Sequence, residues 1–171
     1  MIFINDELVT NETDPIEVEQ IVKKYLVREK LVLVDKEGQP LGPEEQAELL
    51  SETLSDHYFE AVHTSILLRD FRAELQLYIK KVDEYIENTR DKEDFSTVNV
   101  SFVQVIEALM EFSSVSTFLH KDLMDPIVLT SITEKAFKQM EMGNLEYLLD
   151  LMEYELLPVL NEFVDEINEE M

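Results

Sequence analysis

The chain has 171 residues, 45% of them apolar, enough to close one hydrophobic core and too few for two full-sized domains. Thirty-eight Asp and Glu against fourteen Lys and Arg give a net charge of −24, a field that repels phosphate backbones and anionic lipid, so direct nucleic-acid or membrane binding is excluded as an expectation. The absence of Cys removes disulfides, thiol catalysis and thiolate metal sites. No stretch reads as a secretory leader or a membrane span, so a cytoplasmic protein is expected.

Strong acidity by itself suits a disordered chain, but here the apolar residues are plentiful and periodic. Gly and Pro together number eight, so few breakers are available to separate short strands. Long helices are the expectation. In residues 1 to 10, Ile2-Phe3-Ile4 and Leu8-Val9 flank the polar Asn5-Asp6-Glu7, a small hairpin. Asp14-Pro15 supplies an N-cap and a proline at the first helical position, with Glu17 placed to return a bond to the cap. The helix that follows carries Val18, Ile21, Val22, Tyr25 and Leu26 on one face to about Arg28. Leu31 to Val34 reads as a strand and Asp35 to Gly38 as a turn. Residues 1 to 42 are therefore expected to form a small α+β unit of hairpin, helix and strand.

From Pro43 the spacing is helical almost without interruption, through Leu50, Leu54, Tyr58, Val62, Ile66 and Phe71 to Ile86. An unbroken rod over 44 to 90 would be about 70 Å long at about 1.5 Å per residue, so a break is expected near Thr53 to Asp56. Asp91 to Ser96 is a polar link, and Ser96 or Thr97 can cap a helix with Val98, Phe102, Val105, Leu109 and Phe112 inward. Asp125-Pro126 reads as the end of whatever helix passes Leu119, and a shorter helix is expected from Thr130 or Ser131 to Met142, closed by Gly143. Asn144 caps a last helix with Leu145, Leu148, Leu149, Met152, Leu156, Leu160, Phe163 and Ile167 on one stripe. Pro158 within it predicts a kink near Tyr154 to Glu155. The fold class expected is mainly α: a bundle of four or five helices over residues 43 to 171, with the α+β unit of 1 to 42 beside it.

Few residues have catalytic spacing. His57, Glu60 and His63 include a Glu-x-x-His pair that, on a helix, would aim two ligands at one metal. The motif is not repeated, since Thr117 stands three residues before the only other histidine, His120, and in so acidic a chain one such pair arises by chance. The run Phe112 to Phe118 is rich in Ser but lacks a nucleophile elbow, and its small hydroxyls suit close helix packing. Three glycines make no phosphate loop, and no cofactor or catalytic residue is expected.

The most distinctive feature is the C-terminal segment, in which residues 139 to 171 contain ten acids and no Lys or Arg. The last helix also has a second apolar row, Tyr147, Leu151, Tyr154 and Pro158, which is either sandwiched in the core or offered to a partner. In the second case Tyr147, Leu151 and Tyr154 would anchor a partner within an acidic rim that includes Asp150 and Glu153. The leading expectation is a non-enzymatic, acidic protein-interaction module, an adaptor, chaperone or inhibitor for a basic or amphipathic protein segment. A metal-binding bundle or metal enzyme on His57, Glu60 and His63 is the alternative. Mimicry of nucleic acid to block a basic DNA-binding protein is a third reading. Self-association as a homodimer would require an apolar contact with the charges turned away.

The run Leu149-Asp150-Leu151-Met152-Glu153-Tyr154-Glu155-Leu156-Leu157-Pro158-Val159-Leu160, behind the Ile2-Phe3-Ile4-Asn5 opening, resembles an uncharacterised family of small acidic helical proteins from Gram-positive bacteria. The resemblance covers about 12 residues of motif and the layout of the first 40. It implies a bacterial, cytoplasmic protein and brings no activity, ligand or site.

Overall fold

A computed structural model describes residues 1–52, 54–116 and 124–171. The protein is mainly helical, 69% of it, with six helices and a small four-stranded mixed sheet among the described residues. The chain divides into two compact units, Met1–Leu68 and Arg69–Met171. No helix among the described residues is long and apolar enough to cross a membrane.

In the first unit the expected hairpin is β1 (Ile2–Ile4) and β2 (Glu7–Thr10), paired antiparallel. Asn5 and Asp6 form its two-residue turn with φ of 50° and 67°, the left-handed pair that matches the twist of the flanking strands and that Asn and Asp tolerate. The Asn5 side chain also completes the sheet: its Nδ2 donates to the Ala61 carbonyl at 3.0 Å and its Oδ1 accepts from the Ala61 N–H at 2.9 Å. Helix α1 (Pro15–Glu29) starts where Asp14 accepts from the N–H groups of Ile16 and Glu17, and ends at Lys30 with a left-handed φ of 54°. Val18, Val22 and Leu26 on its inner face pack with Ile2, Ile4 and Leu33 of the sheet and with Leu41 and Leu50. Strand β3 (Leu31–Val34) follows as expected.

The next two elements depart from the sequence expectation. Pro43 opens helix α2 (Pro43–Ser51), and after it comes a strand, β4 (His57–His63), where the spacing had indicated helix. Thr53, the start of the expected break, lies outside the described residues. The sheet order is β2-β1-β4-β3, with β4 parallel to β1 and antiparallel to β3. Both neighbours therefore turn backbone N–H and C=O groups toward the position β4 fills, and buried groups of that kind need partners. A run rich in aromatic and β-branched residues meets that demand, and it outweighs an accidental three-and-four spacing of Tyr58, Val62 and Ile66. The sheet unit thus extends to Leu68 rather than to residue 42. Among the described residues there are six helices in all, α1 included, where a bundle of four or five was expected.

Helix α3 (Thr64–Lys92) has 29 residues, about 44 Å at about 1.5 Å each. The second unit adds α4 (Val98–Ser113), α5 (Pro126–Glu141) and α6, which is built from an α-helical stretch Leu145–Leu151, a π-helical turn Met152–Leu156 and a second α-helical stretch Leu157–Glu170. Thr97 stands at the start of α4, but its hydroxyl pairs with the Tyr85 hydroxyl at 2.8 Å instead of capping. Helix α5 begins four or five residues earlier than expected: Asp125 accepts from the Ile127 N–H at 2.9 Å and Pro126 occupies the first turn. Asp125-Pro126 starts a helix just as Asp14-Pro15 does, and Leu119, on the helix that this dipeptide is expected to end, lies outside the described residues. Gly143 (φ 69°) and the Asn144 cap fall where expected. Phe112 joins α4 to α3, with its ring centroid 5.5 Å from Phe71 and 5.4 Å from Tyr78. Burial pushes the Tyr78 hydroxyl above its ordinary pKa, and nearby Glu111 adds to the shift.

Glu17 does not return a bond to its cap. Its carboxyl meets that of Glu12, and this hydrogen bond, then the charges of Glu12 and Asp14, hold its pKa above the ordinary value. The folded state thus favours the protonated form, a preference whose stability is lost as pH rises through the raised pKa. Glu17→Gln is expected to raise the thermal midpoint at neutral pH, with the gain disappearing as pH falls into the carboxylate range; thermal scans across pH check it.

Candidate functional site

The five residues expected to bind a partner do not form one exposed patch. Leu151 is in the core at 4% exposure, Tyr147 is half-buried, and Tyr154 stands in water at 69%. The π turn accounts for this split. Pro158 has no N–H to give the Tyr154 carbonyl, and its ring crowds a regular turn, so the helix widens and Leu157 N–H donates back to Met152 O. The extra residue in that turn puts Leu151 and Leu156, and likewise Met152 and Leu157, on the buried side five positions apart. Asp150 and Glu153 are paired at the partly exposed surface of the unit: Arg90 Nη2 donates to Asp150 Oδ1 at 2.7 Å and to Glu153 Oε2 at 2.6 Å. The Asp150 hydrogen bond, and then that of Glu153 against some desolvation, pushes the already high guanidinium pKa higher, so Arg90 stays cationic. Lys135 of α5 meets the neighbouring Glu155 at 3.1 Å.

The metal alternative loses its geometric ground because His57, Glu60 and His63 lie on β4 and not on a helix. Strand side chains alternate, so Glu60, an odd number of residues from each histidine, points to the opposite face. His57 Nε2 is 3.5 Å from Ser55 Oγ, and His63 Nδ1 is 2.7 Å from Ser65 Oγ. Among the described residues no three His, Cys, Asp or Glu side chains gather in a metal-binding arrangement. In the Ser-rich run Ser113 Oγ donates to the Met110 carbonyl at 2.6 Å, which occupies it locally, while Thr117, Phe118 and His120 fall outside the described residues.

The surface that does have the composition of a docking site lies between α4 and α5. Phe102, Val103 and Ile106 face Thr133, Ala136, Phe137 and Met140 across a shallow, wholly apolar groove of about 80 Å³. Phe102 and Ala136 form its floor, buried at 2% and 1%, while Val103 (43%) and Phe137 (58%) stand at its mouth. Val100 and Met110, both more than half exposed, extend the Val103 row along α4 at helical spacing. The charged residues beside these rows are Glu107 on α4 and Glu134, Lys138 and Glu141 on α5, all exposed, which leaves the margin net acidic. Sequence reading missed this surface because the two-row test was applied to the last helix only. The same test fits α4, where Val98, Phe102, Val105 and Leu109 make the core row, Val100, Val103 and Met110 the second, and Glu107 and Glu111 are the helix's only charges.

The chain matches no protein-family model, no curated protein and no solved structure, so the functional reading rests on its own residues.

The phase set by the π turn is testable through two residues three positions apart, which a regular helix would place on one face. Leu151, buried at 4% exposure, is expected to destabilise the protein by about 2–5 kcal/mol when changed to Ala. Tyr154→Ala should stay within about 0.5 kcal/mol. Chemical denaturation distinguishes this from a regular helix, which would bring the two values together.

Proposed function

We propose that the protein is a non-enzymatic interaction module that takes a basic, amphipathic protein segment into the α4–α5 groove. The observation that carries this reading is an open apolar groove with an acidic margin: Phe137 and Val103 at the mouth, Phe102 and Ala136 beneath, and Glu107, Glu134 and Glu141 alongside. A helix fits such a groove when its apolar residues recur every three or four positions, and Lys or Arg on its flanks would meet the carboxylates. The ten acids of residues 139 to 171 contribute at longer range by raising the encounter rate with a cationic partner. Tyr154, exposed on the same unit, is an additional aromatic contact for a longer partner. Tyr147, Asp150, Leu151 and Glu153 contribute charge and packing more than direct contact, since Arg90 and the core already hold three of them.

A test uses an amphipathic helical peptide with Lys flanks and a Glu-flanked control of the same apolar face, titrated at about 0.05 M and about 0.3 M salt. The Lys peptide is expected to bind with an association rate that falls several-fold at the higher salt, and Phe137→Ser should weaken it about tenfold at both. Equal binding of the two peptides, or binding indifferent to Phe137→Ser, would contradict the proposal.

A further inference from the structure

The two edges of the small sheet are treated differently. Beyond β3 the chain covers its own edge: Leu41 N–H donates to Leu33 O at 3.0 Å, Asp35 N–H to Gln39 O at 2.8 Å, and Val34 bridges to Pro40. Beyond β2 no further strand is paired among the described residues, and the direction of its free backbone groups follows from the ladder on the far side of β1. His57 N–H donates to Met1 O and Asn5 N–H to Phe59 O, both at 3.0 Å, so the odd-numbered residues of β1 turn their polar groups to β4 and Ile2 and Ile4 turn theirs to β2. Leu8 is paired with Phe3, an odd residue. Its N–H and C=O therefore point out from the open edge, and its side chain is half exposed.

Helix α1 overhangs this edge. Ile21, Lys24, Tyr25 and Arg28 of the helix, with Glu7, Leu8 and Val9 of the strand, line an open cleft of about 310 Å³. Tyr25 donates to Glu7 at 3.0 Å and carries the Arg28 guanidinium 5.4 Å from its ring centroid, which fixes the cleft wall, while Arg28 Nε is paired with Glu29 at 2.7 Å. Lys24 Nζ has no carboxylate partner among the described residues, whereas its neighbour Lys23 pairs with Glu19, and acids outnumber bases nearly three to one in the chain. Four of the five bases in Met1–Leu68 fall within residues 23 to 30.

We infer that the open edge of β2 and the cleft under α1 form a strand-addition site for an extended segment of another protein that carries a carboxylate side chain toward Lys24 and Arg28. An added strand takes its backbone bonds from Leu8. Its alternate side chains then fall into the cleft, where Val9 and Ile21 receive an apolar group and Lys24 and Arg28 an acid, and onto the opposite face beside Leu8. A second copy of the chain suits the site less well, because two β2 strands paired about a two-fold axis would set both Lys24 and Arg28 clusters side by side on one face. This site does not rest on the reading of the α4–α5 groove.

The probe is a capped seven-residue peptide alternating valine and glutamate, titrated into the full isotope-labelled chain and followed by amide chemical shifts and hydrogen exchange. The expected result is a shift and slowed exchange at Leu8, no binding by the same peptide N-methylated at alternate residues, and about fivefold weaker binding by Lys24→Glu, with a lysine-for-glutamate peptide regaining the loss. Leu8→Pro removes the outward N–H without touching a β1 bond and should abolish binding while the β1–β4 amides keep their shifts. If that variant does not fold, the charge swap at Lys24 decides alone. Absence of any Leu8 response at millimolar peptide, binding unaffected by N-methylation or by Lys24→Glu, or protection of Leu8 that depends on protein concentration without peptide would each overturn the inference.

Discussion

Thirty-eight carboxylates must stay in water while the apolar residues between them leave it, and every element of the second unit is arranged around that constraint. Helix α6 bears the largest share. Leu148, Leu149, Leu151, Met152, Leu156, Leu157, Leu160, Phe163 and Ile167 are all buried, although the helix carries most of the ten C-terminal acids. The π turn widens the buried face while the Glu153 and Glu155 side chains stay partly exposed, although Glu155 Oε2 is itself buried without a hydrogen bond among the described residues. Where carboxylates come closest to packed surface, Arg90 and Lys135 meet them. Such partly exposed pairs are worth about 0–1 kcal/mol each, against about 1.5–3 kcal/mol for each buried large apolar side chain, so burial supplies the stability and the ion pairs place the charges.

The same constraint shapes the surfaces left for other molecules. Two of the places where this chain presents apolar residues to water differ in the charge beside them. One has acids at the margin, as with Phe137 and Val103, and the other has the chain's scarce cations beside it, as with Leu8 and the Lys24–Arg28 face. In the two proposals they take opposite partners: a helix with basic flanks for the first and an extended acidic segment for the second.

Much of the fold is legible in the sequence where a local rule acts alone. The Asn5-Asp6 hairpin, the Asp14 cap, the β3 run and the Gly143-Asn144 junction each follow from backbone preferences of a few residues. Strand β4 is not legible in that way, because its assignment depends on β1 and β3 needing a neighbour between them, a tertiary demand that no spacing within residues 57 to 63 reveals. The start of α5 is not legible for a different reason: Thr130 and Ser131 can also open a helix, and only the Ile127 N–H bound to Asp125 decides. At the candidate site, Pro158 signalled an irregularity near Tyr154, but a proline does not say whether the helix bends or widens. The wider turn moved Leu151 into the core and left Tyr154 outside. The α4 row was readable from composition and spacing, since one helix with two apolar rows and two charges has more apolar surface than a single core contact uses.

If apolar burial holds the protein together against its own repulsion, screening that repulsion should help it. Thermal unfolding of the full chain in sodium chloride, from about 0.02 M to about 0.5 M at neutral pH, measures the balance directly. A midpoint that climbs with salt is the predicted result. A midpoint that drops would mean that the Arg90 and Lys135 ion pairs carry the fold and that the apolar rows do not.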